Sequence, residues 1–204
     1  MKRKAYLFIV LAAFAVDFLA SLVVKNMIVL LSMSLAIRLF LLLLTIVFFH
    51  DVYAASFRRA FPKGQPIKWL GQVYRLAGYI LLAGAVQFLA HQVNGFLPAF
   101  STPEVILPKW QLVIFQVVPL LIAPFIEEFA FRFVLIDPDS PHLGRQILWS
   151  SLFFALMHTG YLSVGEVFFA FIMGLILGWI YSRTRNILDS IALHFFTNVI
   201  SIAI

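Results

Sequence analysis

The chain has 204 residues, 63% of them hydrophobic and 12% charged, with a formal charge of +6 at pH 7 and a mean hydropathy of +1.00. Such a composition excludes a soluble globular domain of ordinary type and reads as a polytopic membrane protein. The 15 Lys and Arg stand between long apolar runs, which fits loops at an anionic leaflet and excludes a nucleic-acid partner; the absence of cysteine excludes disulfides, thiolate metal sites and a cysteine nucleophile.

A bilayer core of about 30 Å takes about 20 helical residues, and the apolar stretches divide the chain into about seven such units. The fold class is therefore all-α, a polytopic transmembrane helical bundle of six to eight spans. The first unit, 5–24, follows the basic Met1-Lys2-Arg3-Lys4; it lacks a small-residue cleavage site and reads as an uncleaved span rather than a signal peptide. The second covers 27–50. Asp17 and Arg38 lie within these two apolar runs and are expected to pair across them, because buried charges seek partners. Residues 51–72, with Arg58, Arg59, Pro62, Gly64 and Pro66, read as the longest cytoplasmic connection, with a short interfacial helix.

The third unit spans 73–93 and is followed by the breakers Asn94-Gly95-Phe96-Leu97-Pro98 and Pro103. The remaining spans are 110–136, 146–158, 164–182 and 186–204. The whole is one transmembrane domain, 1–204, with N-terminal helices and a basic loop in 1–109 and a core bearing the polar motifs in 110–204. Lys2, Arg3, Lys4, Arg58, Arg59, Lys63, Lys68, Arg75, Arg145, Arg183 and Arg185 fall on one side, whereas Lys25 and Lys109 fall on the other. Short loops rich in Lys and Arg stay cytoplasmic, so the N-terminus is expected there. Trp69, Trp110, Trp149 and Trp179 read as interfacial anchors, and His50, His91 and His142 as interfacial.

Polar residues inside the later spans stand apart. The run Pro124-Phe125-Ile126-Glu127-Glu128-Phe129-Ala130-Phe131-Arg132 sets two carboxylates and a guanidinium in an apolar helix, and intramembrane ionisable residues usually mark function. Glu128 and Arg132 are at i and i+4, as are His194 and Asn198, so each pair shares a helix face. Glu127 is rotated by about 100 degrees from Glu128, an arrangement expected to keep the two from sharing one partner. Counting rise from the basic side, Glu127 and His194 lie at about 12–13 Å and His158 and Asn198 at about 18 Å, close to one level. Pro119 and Pro124 are expected to kink the helix before Glu127 and to release backbone carbonyls.

Glu127-Glu128-x-x-x-Arg132, Phe154-x-x-x-His158 and His194-x-x-x-Asn198 resemble the three motifs of the CPBP family. This family comprises the CAAX-protease and bacteriocin-processing (Abi) intramembrane proteases, with the Ras-converting endopeptidases among them. The resemblance spans 119–201 and extends to Pro124, Gly174, Gly178 and the Tyr181-Ser182-Arg183-Thr184-Arg185 run. Phe133 and Asn186 depart from it, each where a Gly is common.

The resemblance implies an intramembrane endopeptidase. With the spacing, it suggests Glu127 as general base, His158 as holder of the water, and His194 and Asn198 as oxyanion donors, with Glu128 and Arg132 as a supporting ion pair. No cofactor is favoured; a zinc site on Glu127, His158 and His194 is the rival chemistry. The expected partners are membrane lipids and a peptide or membrane-protein substrate, the expected location a bacterial plasma membrane, and the expected cavity opens to the cytoplasmic side. Phe153, Phe154, Phe168, Phe169, Phe171, Phe195 and Phe196 read as packing and lipid-facing surface, with those beside His158 and His194 as candidates for an apolar groove. A noncatalytic scaffold or bacteriocin-immunity protein is the alternative, and a transporter a more distant third.

Overall fold

The computed structural model describes residues 2–94, 108–159 and 163–203; the predicted turn at 95–98 and Pro103 lie outside them. Seven helices follow one another among the described residues. They are α1 (Lys2–Val23), α2 (Met27–Ala60), α3 (Pro66–Asn94), α4 (Lys109–Phe133), α5 (Leu143–Leu156), α6 (Val164–Thr184) and α7 (Ile187–Ala203). Five of them, α1 to α4 and α6, are long and apolar enough to cross a membrane. At 14 residues α5 rises only about 21 Å, and the 17-residue α7 about 26 Å. The chain is a helical membrane bundle.

Two boundaries differ from expectation. The basic connection contains no separate interfacial helix, because α2 continues through it to Ala60 past a kink at Phe49 (φ −130°, ψ 20°). Ser56 and Ala60 are buried along this extension, and that buried face sustains helix where Arg58 and Arg59 suggested a loop. The connection shrinks to 61–65, where Trp69 Nε1 donates to the Pro62 carbonyl at 2.8 Å. The second difference is at α5, which stops at Leu156 and leaves His158 in the following turn.

The basic ends gather at one end of the bundle. Arg3 lies 4.1 Å over the Phe133 ring, Arg59 Nη1 donates to the Arg185 carbonyl at 3.1 Å, and Arg185 pairs with Asp139. Arg185 closes α6 in the left-handed region (φ 53°), a conformation that costs a non-glycine residue about 1–2 kcal/mol. Asn186 offsets it by accepting from the Leu188 amide at 3.2 Å at the start of α7, while its Nδ2 donates to the Ser56 carbonyl at 3.3 Å. Thus the Asn that departs from the family pattern begins the last helix. Nearby, buried Asp189 accepts from Gln72 Nε2 at 3.1 Å and pairs with Arg75 at 3.5 Å, joining α3 to α7.

Two glycines bring α5 and α6 together. A Cβ at Gly174 would stand 2.8 Å from the Ser151 Cβ, and one at Gly178 would meet Ile147 and Ile136 at 3.0 and 3.2 Å. Small residues permit this approach in a membrane bundle, where association rests on packing rather than on water exclusion. In the first two helices, Asp17 and Arg38 pair at 3.1 Å.

Candidate active site

α4 is an irregular helix. It contains Pro124 and two wide π turns, Val113–Val117 and Phe129–Phe133; such turns interrupt the regular ladder and recur at functional sites. Pro124 has no N–H, so the Leu120 carbonyl lacks its usual partner one turn on. Asn198 Nδ2 supplies it at 2.8 Å from α7. Tyr53 and Tyr6 hydroxyls donate to the Phe125 and Ile126 carbonyls at 3.3 and 3.1 Å, and Ser150 Oγ to the Phe131 carbonyl at 2.5 Å. Side chains from α1, α2, α5 and α7 therefore hold this one helix in a shape it would not keep alone.

That shape presents the two carboxylates differently. Glu128 is fully buried, as is Arg132 one turn on, and they pair at 3.3 Å. Arg132 Nη2 reaches the Gly174 carbonyl at 3.5 Å, and its guanidinium lies 4.4 Å over the Phe154 ring. Glu128 Oε1 also accepts from His194 Nδ1 at 2.9 Å, while His194 Nε2 lies 3.9 Å from Glu127 Oε2. The expectation that the carboxylates cannot share a partner is thus incorrect. An imidazole carries its nitrogens on opposite edges of the ring, so a single His194 lies between two carboxylates that diverge from α4.

His158 Nδ1 lies 2.8 Å from the Phe154 carbonyl. A carbonyl only accepts, so this nitrogen carries the proton and a neutral ring presents Nε2 as a lone pair. The Phe154 ring is 4.6 Å from His158 and 5.6 Å from His194; at 2% exposure it is a spacer between the two histidines and Arg132. Phe153 and Phe168, by contrast, are exposed, as a lipid-facing surface would be.

A cavity of about 340 Å³ is lined by His158, His194, Asn198 and Phe154, together with Glu166 and Gln87. The spacing of the motifs gave no sign of the last two. Glu166 stands in the first turn of α6, where its amide donates to the Ser163 capping hydroxyl at 3.3 Å; a carboxylate there is ordinary for a helix start, so it carried no signal. The cavity draws on the ends of α3, α5 and α7 and the start of α6, which lie away from the basic end. With the N-terminus on the cytoplasmic side, the cavity would lie toward the opposite end of the bundle. The early end of α5 puts His158 at that rim.

Glu127 lines a second cavity, of about 410 Å³, with Arg38, Ser34 and Gln116. Leu120 lines both cavities, so α4 is the wall between them. A catalytic zinc needs three protein ligands converging at about 2.0–2.2 Å. Among the described residues no group of three His, Cys, Asp or Glu side chains is arranged to hold a metal ion. Glu127 and His158 line different cavities, on either side of α4. In this arrangement Glu127, His158 and His194 do not fit a zinc site.

A family model described as type II CAAX prenyl endopeptidase Rce1-like matches residues 109–200, which contain all three motifs, whereas α1 to α3 fall outside it. No curated protein and no solved structure matches the chain.

Proposed function

We propose, from the match of residues 109–200 to the Rce1-like type II CAAX prenyl endopeptidase family, that this chain is an endopeptidase in which Glu127 activates water and His194 and Asn198 receive the oxyanion. The observation that carries this reading is His194 held between Glu127 and Glu128, at 3.9 and 2.9 Å. Glu127 takes a proton from a water, and the hydroxide adds to the scissile carbonyl carbon beside His194, which lies 3.9 Å from Glu127 and lines the cavity of His158. Negative charge gathers on the carbonyl oxygen, which His194 receives at its Nε2 edge. Asn198 gives one amide hydrogen to Leu120, and an amide nitrogen has a second to offer. Collapse breaks the C–N bond, and the proton on Glu127 passes to the leaving amine.

Each oxyanion donor in a dry site contributes about 3–4 kcal/mol to lowering the barrier. Glu128 orients His194 and neutralises Arg132, so its role is positional. The substrate is a peptide or membrane protein, the setting a bacterial plasma membrane with the N-terminus cytoplasmic, and no metal takes part. A noncatalytic scaffold or immunity protein would need the same buried Glu128 and Arg132 for folding but would have no use for Glu127.

The test compares membrane peptides in cells with the native chain and with Glu127→Gln, His158→Ala or His194→Ala, at equal folded levels. Peptides that accumulate or disappear identically in all three variants identify the substrate. An unchanged peptide pattern in all three, with the native phenotype kept, overturns the enzyme reading.

A further inference from the structure

The Asp17–Arg38 pair has no part in the motifs, and both residues lie outside the stretch that matches the protease family. Charges at membrane depth are costly and tend to line functional cavities, and Arg38 lines one. Asp17 Oδ2 accepts from Arg38 Nη1 at 3.1 Å and from Ser34 Oγ at 3.0 Å, and Ser34 and Arg38 line the second cavity, whose far wall is Glu127. Gln116, in the π turn Val113–Val117, supplies a further polar group. On the other side of α4 lies the cavity that holds His158, His194 and Asn198.

We propose that the cavity between α2 and α4 is the entry by which hydrolytic water reaches Glu127, separate from the cavity that takes the substrate; this rests on Glu127 being the base. Three observations converge on water as the occupant. At about 410 Å³ the cavity has room for several waters at about 30 Å³ each, and Ser34, Arg38, Gln116 and Glu127 give each water the polar partners it needs. Glu127 lines this cavity with its side chain 16% exposed, so its carboxylate is within reach of water there. Arg38 is already neutralised by Asp17, so an anionic ligand would meet two carboxylates and one guanidinium, an unfavourable balance. A water entry apart from the substrate cavity lets hydrolysis proceed while the peptide fills its own site.

The chain lacks cysteine, so single-cysteine variants report cleanly. Ser34→Cys, Gln116→Cys and, as a lipid-facing control, Leu43→Cys, 60% exposed, are placed in phosphatidylcholine vesicles and treated with a charged methanethiosulfonate, which reacts with hydrated thiolates. The expected result is labelling of the first two at least tenfold faster than of the third. After labelling of Gln116→Cys, cleavage of an internally quenched peptide turned over by the native chain should lose at least tenfold in kcat while KM stays within twofold. The double variant Asp17→Leu, Arg38→Met, which leaves the cavity apolar, should give the same split between kcat and KM in folded protein. Labelling no faster than in the control, a labelled variant with unchanged kcat, a change confined to KM, or a double variant that loses only folded yield would each overturn the proposal. Cleavage surviving in Glu127→Gln would instead remove the reading of Glu127 as base, whatever the labelling gives. An inactive Glu127→Gln beside a fully active labelled Gln116→Cys removes the water entry alone.

Discussion

The two sides of α4 carry the same residue type at adjacent positions and treat it in opposite ways. On one side Glu128 is fully buried, paired with Arg132 and bonded to His194. On the other Glu127 is 16% exposed and lines a polar cavity. Full burial between an arginine and a histidine makes a carboxylate structural, whereas partial exposure beside a cavity leaves it available for chemistry. A buried pair is strongly destabilised by loss of one partner, while a general base must be able to gain and lose a proton.

The sharpest way to break this comparison is to neutralise each carboxylate in turn. Glu127→Gln should lower cleavage by about 10²–10⁴-fold, the usual worth of a general base, at unchanged folded yield. Glu128→Gln should instead destabilise the fold by about 3–5 kcal/mol, since Arg132 stays buried without its carboxylate; thermal unfolding in detergent measures it. If the two variants exchange these outcomes, the roles are reversed. Removing both partners, as Glu128→Leu with Arg132→Met, should recover most of that stability yet leave cleavage impaired, because His194 loses the oxygen that orients it. A double variant no more stable than Glu128→Gln would mean that the pair contributes more than mutual neutralisation.

The next test asks which side Asn198 serves. Asn198→Leu should cost about 1–3 kcal/mol by leaving the Leu120 carbonyl unpaired. Adding Pro124→Ala returns a backbone N–H to that carbonyl and should restore stability. Cleavage should stay low in the double variant if Asn198 also meets the oxyanion, and should return if propping Leu120 was its whole task. The smallest effect belongs far from the site. Arg185→Gly relieves a positive φ worth about 1–2 kcal/mol but breaks the exposed pair with Asp139, worth up to about 1 kcal/mol. Stability should change by less than about 1 kcal/mol, with cleavage unaltered.

Much of this was legible in the chain itself. Span positions follow from apolar length, and the Glu128–Arg132 pair follows from its i, i+4 spacing. Pro124 announced a released carbonyl, but its partner Asn198 is 78 residues from Leu120, and that meeting exists only after packing. The sharing of His194 was hidden because helical rotation describes where side chains leave a helix, not which edge of a third residue they reach. Glu166 resembled any acidic residue at a helix start. The extension of α2 was masked by its charges, since the buried face of Ser56 and Ala60 is defined by neighbours rather than by sequence period. The rim position of His158 depended on where α5 ends, and helix ends are poorly marked in apolar sequence.

That early end of α5 has a consequence for the lipid. A 14-residue helix spans about 21 Å against a hydrocarbon core of about 30 Å, a mismatch that bilayers relieve by thinning locally. A bilayer around α5, the shortest helix among the described residues, would be drawn inward beside the turn that carries His158. Under the proposed function, a substrate helix arriving there would meet headgroups and water while still against the bundle, where helical hydrogen bonds are weakest and the extended peptide that hydrolysis requires is most easily formed.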